Sequence, residues 1–581
     1  MPNSNESFYS AWRTRFRRDL KAAGFVCLRT EQGREWWEGT LHISWEDNET
    51  EDYCTAEHVI QIHLPRGFPF QQPVVFPSDT SSPIRDSRHQ SPGSDNGVLC
   101  LWPSDSEGWL PSLSADDLLS RVRLWFGHYH QDDWPSEERP PDLHLYFPSP
   151  MRRPLMLIAD DWTLPPVQVG RFGIWQKDTI RAFAGAPQAG VTMPPTFHSD
   201  RIFSSIGMTE RRRDHVGLWF RLYAEPKPRH TLSELLEEID NTCRQSHGWA
   251  LSHLRSLFGV KTRGENVEGI LSLGYPSGNG KEQWLFLRCN LGSKAKTTQW
   301  SQVSTLRKII VSSFETAEVG KHALMRRTGY VARQIEGRRV LIFGQGAIGG
   351  TITLLLAKAG LQHLRIVDSD TLRPGNSVRH VGGLLFVGHD KALVSQIEAL
   401  GHAPDCSIVV NDITWDPVKL QEWVQEADVV VDATANIAFS LLLNKICLDA
   451  RRSGVYVAAH RRAAIGRIRI VRPGQDACLT CYESGYRYSK DYPVIPVGDE
   501  GTFIEEGCGV PTVEASAIDV EYVANWGARA VLYLLQNKMD HGNHLLTVND
   551  VLPDAEGVFA VPGIYWGMWK PIQACDSCGS I

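Results

Sequence analysis

Hydrophobic spacing divides the chain into three parts. The first opens on "SNESFYSAWRTRFRRDLKAAGF", which suits a short amphipathic helix. The runs "WWEGTLHISW" and "AEHVIQIHL" then alternate apolar with polar residues, the period of half-buried strands, ahead of the turn-rich "PRGFPFQQPVVFP". Helical spacing returns in "SADDLLSRVRLWFGHYH", with Ser114 placed as N-cap and Asp116 and Asp117 in the first turn. The proline-dense "WPSEERPPDLHLYFPSPMRRP" reads as a linker.

From about Met151 to Ala317, strand-like pieces accompany one clear helix, "TLSELLEEIDNTC", whose Thr231 and Glu234 form a capping-box signature. Trp175, Trp219 and Trp284 are expected as core or interface anchors. The third part begins near Glu318 with a predicted helix, "EVGKHALMRRTGYVARQI". A βαβ unit follows: strand "RRVLIFG", a glycine turn, helix "TITLLLAKAG" and strand "HLRIVD". The runs "ADVVVDAT" and "GVYVAAH" extend this into a largely parallel α/β sheet.

Length and composition narrow the class. A chain of 581 residues exceeds one core, and 42% hydrophobic with 22% charged residues is ordinary for soluble globular protein. A net charge of −7 argues against nucleic acid as a partner. The most apolar stretch, "VLIFGQGAIGGTITLLLAKAGL", is broken by glycines and Lys358, so no membrane span is expected. Arginines near the N-terminus disfavour a signal peptide, which predicts a cytoplasmic protein. The twelve cysteines then read as thiols, metal ligands or nucleophiles, with Cys27, Cys54, Cys243, Cys289, Cys406 and Cys447 expected buried and inert.

Chemistry concentrates in the third part. "GQGAIG" puts Gly344, Gly346 and Gly349 between strand and helix, where backbone can approach a phosphate at a helix N-terminus. Asp368 stands 19 residues beyond Gly349, the offset of a ribose-binding acid. To that point a dehydrogenase fits equally well. "DSDTLRPGNSVRH" then brings Asn376 and Arg379, and "GHDKA" brings Lys391, which favours a triphosphate over a nicotinamide ring. "ACLTCYE" and "ACDSCGSI" supply Cys478, Cys481, Cys575 and Cys578. Two such pairs suit one tetrahedral Zn2+ clipping the C-terminal tail to the domain, with a redox pair as the alternative. Cys508 in "EEGCGVPTVEAS" lies uncrowded between glycines, although Glu505 and Glu506 do not help ionise it. It is either a nucleophile or a small residue in a tight turn.

The third part resembles the adenylating family of ubiquitin-activating enzymes and their bacterial relatives MoeB and ThiF, which read GxGxxG, DxDxxxxxNxxR and then a lysine. The resemblance implies Asp368 on the ribose, Asn376, Arg379 and Lys391 on the phosphates, a structural zinc and a homodimer. That family binds magnesium through an aspartate after the next strand, where "DATAN" has Ala435. Either Asp432 or Asp370 helps hold Mg2+, or adenylation is organised differently. The first part, through Gly67, Pro69, Pro73, Cys100, Trp109 and Pro111, resembles the ubiquitin-conjugating family's YPFxxP, G-x-x-C-L and W-x-P. Its histidine-proline-asparagine motif is absent, and "RHQSPGSDNG" offers His89 or Asn96 to steady an oxyanion.

The expected fold is a multidomain α/β protein: a ubiquitin-conjugating-like α+β domain (1–148), an α+β middle domain (149–317) and a Rossmann-like adenylating domain with zinc knuckles (318–581). The order resembles the fused ubiquitin-transfer enzymes of bacterial anti-phage (CBASS) operons. This implies adenylation of a protein C-terminus, thioester capture at Cys508, transthiolation to Cys100 and transfer to an amine-bearing target. The activated partner would be a cyclic-oligonucleotide synthase (CD-NTase) or a ubiquitin-like protein. A sulfur-carrier enzyme and a noncatalytic scaffold are the alternatives.

Overall fold

The computed structural model describes residues 4–46, 53–78, 89–90, 97–102, 109–131, 143–147, 153–158, 162, 165–176, 181–184, 215–258, 268–276, 282–290, 306–319, 321–326, 328–485, 502–504, 511–539, 542–550, 552–553, 559–560 and 562–579. The chain divides into two compact units, one built mainly from 1–157 and 213–317, the other mainly from 318–581.

The first unit begins with α1 (Ser4–Ala22) and an antiparallel meander of β1 (Val26–Glu31), β2 (Arg34–Glu46), β3 (Tyr53–Leu64) and β4 (Val74–Pro77), followed by α2 (Ala115–Gln131). Alternation along β2 turns Trp37, Leu41 and Ile43 inward, where they meet Phe16 and Leu20 of α1 and Leu118, Val122 and Phe126 of α2. Gly39 is required there, because a Cβ would come within 2.7 Å of the Phe25 ring. Ser114 caps α2 as expected: its Oγ accepts the Asp117 N–H (3.2 Å), and its own N–H donates to the Asp117 carboxylate (2.7 Å).

The same unit holds an eight-stranded sheet of β5 (Leu155–Ile158), β6 (Val169–Gln176), β7 (Arg181–Ala184), β8 (His215–Arg221), β9 (Glu268–Pro276), β10 (Glu282–Asn290), β11 (Val311–Ser313) and β12 (Glu315–Glu318). Its spatial order is β11-β10-β9-β8-β6-β7-β5-β12. Two helices accompany it, α3 (Leu232–Thr242), with the Thr231–Glu234 capping box formed, and α4 (Trp249–Phe258), which the pattern of the sequence did not reveal. Trp219 is buried and Trp284 half-buried, while the Trp175 side chain lies outside the described residues. The linker reading needs correction at its end: Leu143 and Phe147 are buried in the core beside Phe220, Leu235 and Ile239.

In the second unit the predicted opening helix is two, α5 (Lys321–Met325) and α6 (Gly329–Gln334). The backbone leaves helical geometry at Thr328 (φ −104°, ψ 3°), beside Gly329, a weak helix former. The sheet runs through β13 (Arg339–Phe343), β14 (His363–Val367), β15 (Ser407–Asn411), β16 (Val429–Asp432) and β17 (Ser453–His460), all parallel, in the order β15-β14-β13-β16-β17. Beyond β17 it turns antiparallel through β18 (Ile465–Val471), β21 (His544–Val548) and β24 (Gly563–Gly567). The expectation of a largely parallel sheet thus holds for one half. Arg461, Arg462 and Ala463 all take left-handed φ in the tight β17–β18 turn, and a turn that short joins only antiparallel strands.

Small ribbons pair β19 (Thr502–Ile504) with β20 (Pro511–Val513) and β22 (Leu552–Pro553) with β23 (Phe559–Ala560). Helices α7 (Ala347–Lys358), α8 (Lys391–His402), α9 (Pro417–Glu426), α10 (Ile437–Asp449) and α11 (Ala517–Leu535) cover the sheet. Ile352 and Leu356 of α7 share a buried core with Val457, Ile468 and Val523. Because β14 and β16 flank β13 on opposite sides, the strand order reverses at β13, and a crevice is expected beyond its carboxyl end.

Candidate functional site

Register places Phe343 opposite both Val367 and Asp432, so Gly344, Asp368 and Asp432 emerge on one edge of the sheet. Gly344 has φ +81°, and a Cβ on it would lie 2.7 Å from the Ala433 carbonyl. A Cβ on Gly349 would meet the Gly344 carbonyl oxygen at 1.8 Å, whereas one on Gly346, the N-cap of α7, would meet nothing within 4 Å. Two glycines therefore serve close packing of loop and helix. The third leaves the helix N-terminus open, where unpaired amides and the positive dipole end favour an anion.

The Asp368 carboxylate accepts the N–H groups of Gln345 (2.6 Å) and Asp370 (2.7 Å), which ties the glycine loop to the segment after β14. Lys391 Nζ pairs with the exposed Asp370 carboxylate at 2.9 Å. Asn376 accepts the Arg373 N–H on its side chain (3.1 Å) and the N–H groups of Arg379 and His380 on its carbonyl (3.0 and 2.9 Å). Asp368, Asp370, Asn376, Arg379 and Lys391 thus lie on one excursion between β14 and α8. It is tied to the glycine loop through Asp368 and through His380.

Asp432 is buried, and both its oxygens are engaged. One accepts the N–H and hydroxyl of Thr434 (2.9 and 2.7 Å), the other the hydroxyl of Ser440. Burial pushes its carboxyl up from the usual range, and these hydrogen bonds oppose that. Ala435 takes φ +54° beside it. Both border a pocket of about 290 Å3 on the β17–β18 face, whose lining includes Tyr456, His460, Arg467 and Arg469. A second cleft, of about 210 Å3, opens at the amino ends of β13, β14 and β15, on the opposite edge from the glycine loop.

Cys478, Cys481, Cys575 and Cys578 are all buried, with sulfurs within 4.8 Å of one another. Individual separations are 3.8 Å (478–481), 3.6 Å (478–575) and 3.3 Å (481–578). Four thiolates at about 2.3 Å from a tetrahedral zinc stand about 3.8 Å apart, so the cluster can hold that ion. The Ile572 N–H points at the Cys481 sulfur (3.4 Å), as an outer group steadying a ligand does.

In the first unit Cys100 is half-buried on a fixed backbone. Its N–H donates to the His89 carbonyl (2.9 Å), which also accepts the Trp125 indole (3.0 Å), while the Leu99 N–H donates to Val75 (2.8 Å). Burial pushes the Cys100 thiol up to about 11. His89 is itself buried, and Asn96 and Cys508 lie outside the described residues. Of the cysteines expected to be buried, Cys243, Cys289, Cys406 and Cys447 are, but Cys27 and Cys54 are half-buried near the ends of β1 and β3. Sequence reasoning passed over His380, Ser440 and the arginines of β18. The first adjoins Arg379 and the second follows Asn436 by one helical turn, but the β18 residues carry no local signal.

Residues 320–538 match the ThiF family. The chain is 24% identical to the uncharacterized protein y4oA of Sinorhizobium fredii over 89% of this chain and 90% of that one. It is 26% identical to the ATP-dependent ubiquitin transferase-like protein Cap2 of Enterobacter hormaechei over 50% of this chain, and spans about half (51%) of Cap2's length. It is also 26% identical to the probable adenylyltransferase/sulfurtransferase MoeZ of Mycobacterium tuberculosis, over 26% of this chain and 39% of that one.

Proposed function

We propose that the ThiF-family domain at residues 320–538 uses ATP to adenylate the C-terminal carboxylate of a partner protein, and that the chain then passes the acyl group through thioesters to an amine. The observation that supports the reading is an open glycine-loop helix end tied through Gln345 to Asp368 and to His380, on the segment that carries Asn376, Arg379 and Lys391. A triphosphate needs amides and cations there, and a ribose needs the acid. Lys391 exchanges Asp370 for phosphate, which leaves that exposed carboxylate as the group to hold Mg2+. Asp432, with both oxygens already accepting, instead anchors the turn into α10. Magnesium would neutralise phosphate charge.

The partner's tail enters beside Asp432 along the β17–β18 pocket. Its carboxylate attacks the α-phosphate and displaces pyrophosphate. The Cys508 thiolate displaces AMP and forms a thioester, the Cys100 thiolate displaces Cys508, and an amine displaces Cys100 to give an amide. Each thiol gives up a proton as it attacks and regains one as it leaves. Burial disfavours the Cys100 thiolate, so its proton must be taken up as it attacks the Cys508 thioester. Similarity to the ubiquitin transferase-like Cap2 supports transfer onto a protein target, and a CD-NTase is proposed as the activated partner from the order of the three parts. Similarity to the adenylyltransferase/sulfurtransferase MoeZ keeps a sulfur carrier as the second reading. The four-cysteine cluster is proposed to hold structural zinc. The exposed Val378, Leu384 and Leu385 support a homodimer through the second unit.

The test is a pair of substitutions. With a CD-NTase and ATP, Cys508→Ala should form adenylate but no thioester, and Cys100→Ala should load Cys508 in a reductant-sensitive form yet make no stable conjugate. Normal charging of Cys100 in the Cys508→Ala protein would make Cys508 structural. Absence of ATP–pyrophosphate exchange with either partner class would remove the adenylation reading.

A further inference from the structure

His380 is buried at 7% exposure between the glycine loop and α8. Its Nε2 lies 2.8 Å from the Gln345 carbonyl oxygen, and its Nδ1 lies 3.0 Å from the Gly382 amide nitrogen. A carbonyl only accepts and an amide N–H only donates. Nε2 therefore carries the proton, Nδ1 is bare, and the ring is neutral in a single tautomer.

Both partners are themselves held. The Gln345 N–H donates to Asp368 (2.6 Å), and its side-chain oxygen accepts the Thr353 hydroxyl (2.9 Å). Gly382 is pressed against α8, since a Cβ there would lie 2.2 Å from Val394. One chain of contacts therefore runs from α7 through Gln345 and His380 to the foot of α8, whose first residue is Lys391. Asn376 and Arg379 lie just before His380 on the same segment.

We propose that His380 is a positioning residue which, acting through the Gln345 carbonyl, sets the glycine loop and the Asn376–Lys391 segment at one spacing for a nucleoside triphosphate, and does so only as the neutral imidazole. This rests on the nucleotide reading above. His380 acts through the main chain of the loop, not on the nucleotide. A second proton would go to Nδ1, facing the Gly382 N–H, so two donors would oppose each other. It would also put charge near Lys391 and beside Arg379 in the chain, with Asp368 as the nearby counter-charge. Burial holds the ring below the usual 6.5; the hydrogen bond to the Gln345 carbonyl opposes that, Lys391 adds to it and Asp368 works against it. Nucleotide affinity is therefore complete at neutral pH and declines as pH falls through that lowered value.

The test uses the full chain and direct calorimetric binding of ATP with Mg2+, which needs no partner protein. His380→Leu removes donor and acceptor and should weaken ATP about tenfold or more. His380→Gln keeps an N–H donor and a carbonyl acceptor and should stay within about threefold, because no hydrogen bond is forfeited. Wild-type affinity should fall as pH drops below the usual imidazole value of 6.5, whereas His380→Gln should lack that loss. Wild-type protein that binds no ATP overturns the nucleotide reading and this inference with it. Wild-type protein that binds, with His380→Leu equal to it, or with His380→Gln showing the same acid loss, overturns the inference alone. Where His380→Leu fails to fold, the pH comparison of wild type with His380→Gln still decides.

Discussion

Gly349→Ala is the sharpest steric perturbation available in the glycine loop. The added Cβ would stand 1.8 Å from the Gly344 carbonyl oxygen and 3.3 Å from the Ala433 side chain. To reach even 3.0 Å, loop and helix must part by about 1.2 Å. Retreat of the helix would also unpack Ile352 and Leu356, which stand one and two turns along the same face as Gly349 and are fully buried. Overpacking of this kind costs about 1–3 kcal/mol, and alanine in place of a helical glycine returns about 1 kcal/mol. The net loss is about 0–2 kcal/mol, or a fall in Tm of at most roughly 8 °C for the transition of the second unit. ATP binding should fall at least about tenfold as the Gly344 carbonyl is displaced. Gly346→Ala is the control. No atom lies within 4 Å of its Cβ and its φ is −71°, so the fold should change by no more than about 1 kcal/mol. Its methyl nevertheless enters the open space over the helix end, so ATP affinity should drop without a matching drop in Tm. Scanning calorimetry with ATP titration separates the two. A Gly349→Ala protein with wild-type Tm and wild-type ATP affinity would refute the steric reasoning.

Metal analysis should find about one zinc per chain, from four thiolates completing one site, and Cys478→Ser should release it and lower the Tm of the second unit. Zinc-free purified protein with an intact fold would defeat that. His58 Nε2 lies 2.8 Å from His130 Nε2, between β3 and the end of α2, and burial followed by the His130 charge pushes His58 down from 6.5 to about 4. The unfolded chain therefore takes up protons first, and thermal stability of the first unit should fall as pH drops from 6.5 toward 4. His130→Phe should flatten that slope, and an unchanged slope would dismiss the pair as its cause. Leu385 is 94% exposed and Leu384 72%. Leu385→Glu should turn the proposed homodimer into a monomer by light scattering, and a monomeric wild-type chain at micromolar concentration would end the dimer proposal.

What the sequence determined by itself is short-range. The caps at Ser114 and Thr231, the βαβ unit around Gly344 and Gly349, and the spacing from Gly349 to Asp368 all depend on residues within a few tens of positions. Steric and hydrogen-bonding rules act directly at that range. Other features required the fold. Nothing near Gly454–Val471 announces that the sheet turns antiparallel there and sets arginines beside Asp432. That depends on which strands become neighbours. The tail's cysteines at 575 and 578 were legible as ligands by type, but only packing brings them within 4.8 Å of 478 and 481. Asp432 and Asp370 read alike in the sequence, and only the fold shows Asp432 buried with both oxygens accepting hydrogen bonds and Asp370 exposed beside Lys391. His380 looked like one more polar residue after Arg379. Its tautomer is set by a carbonyl 35 residues earlier in the chain, because a proton's position follows the group that faces it in space.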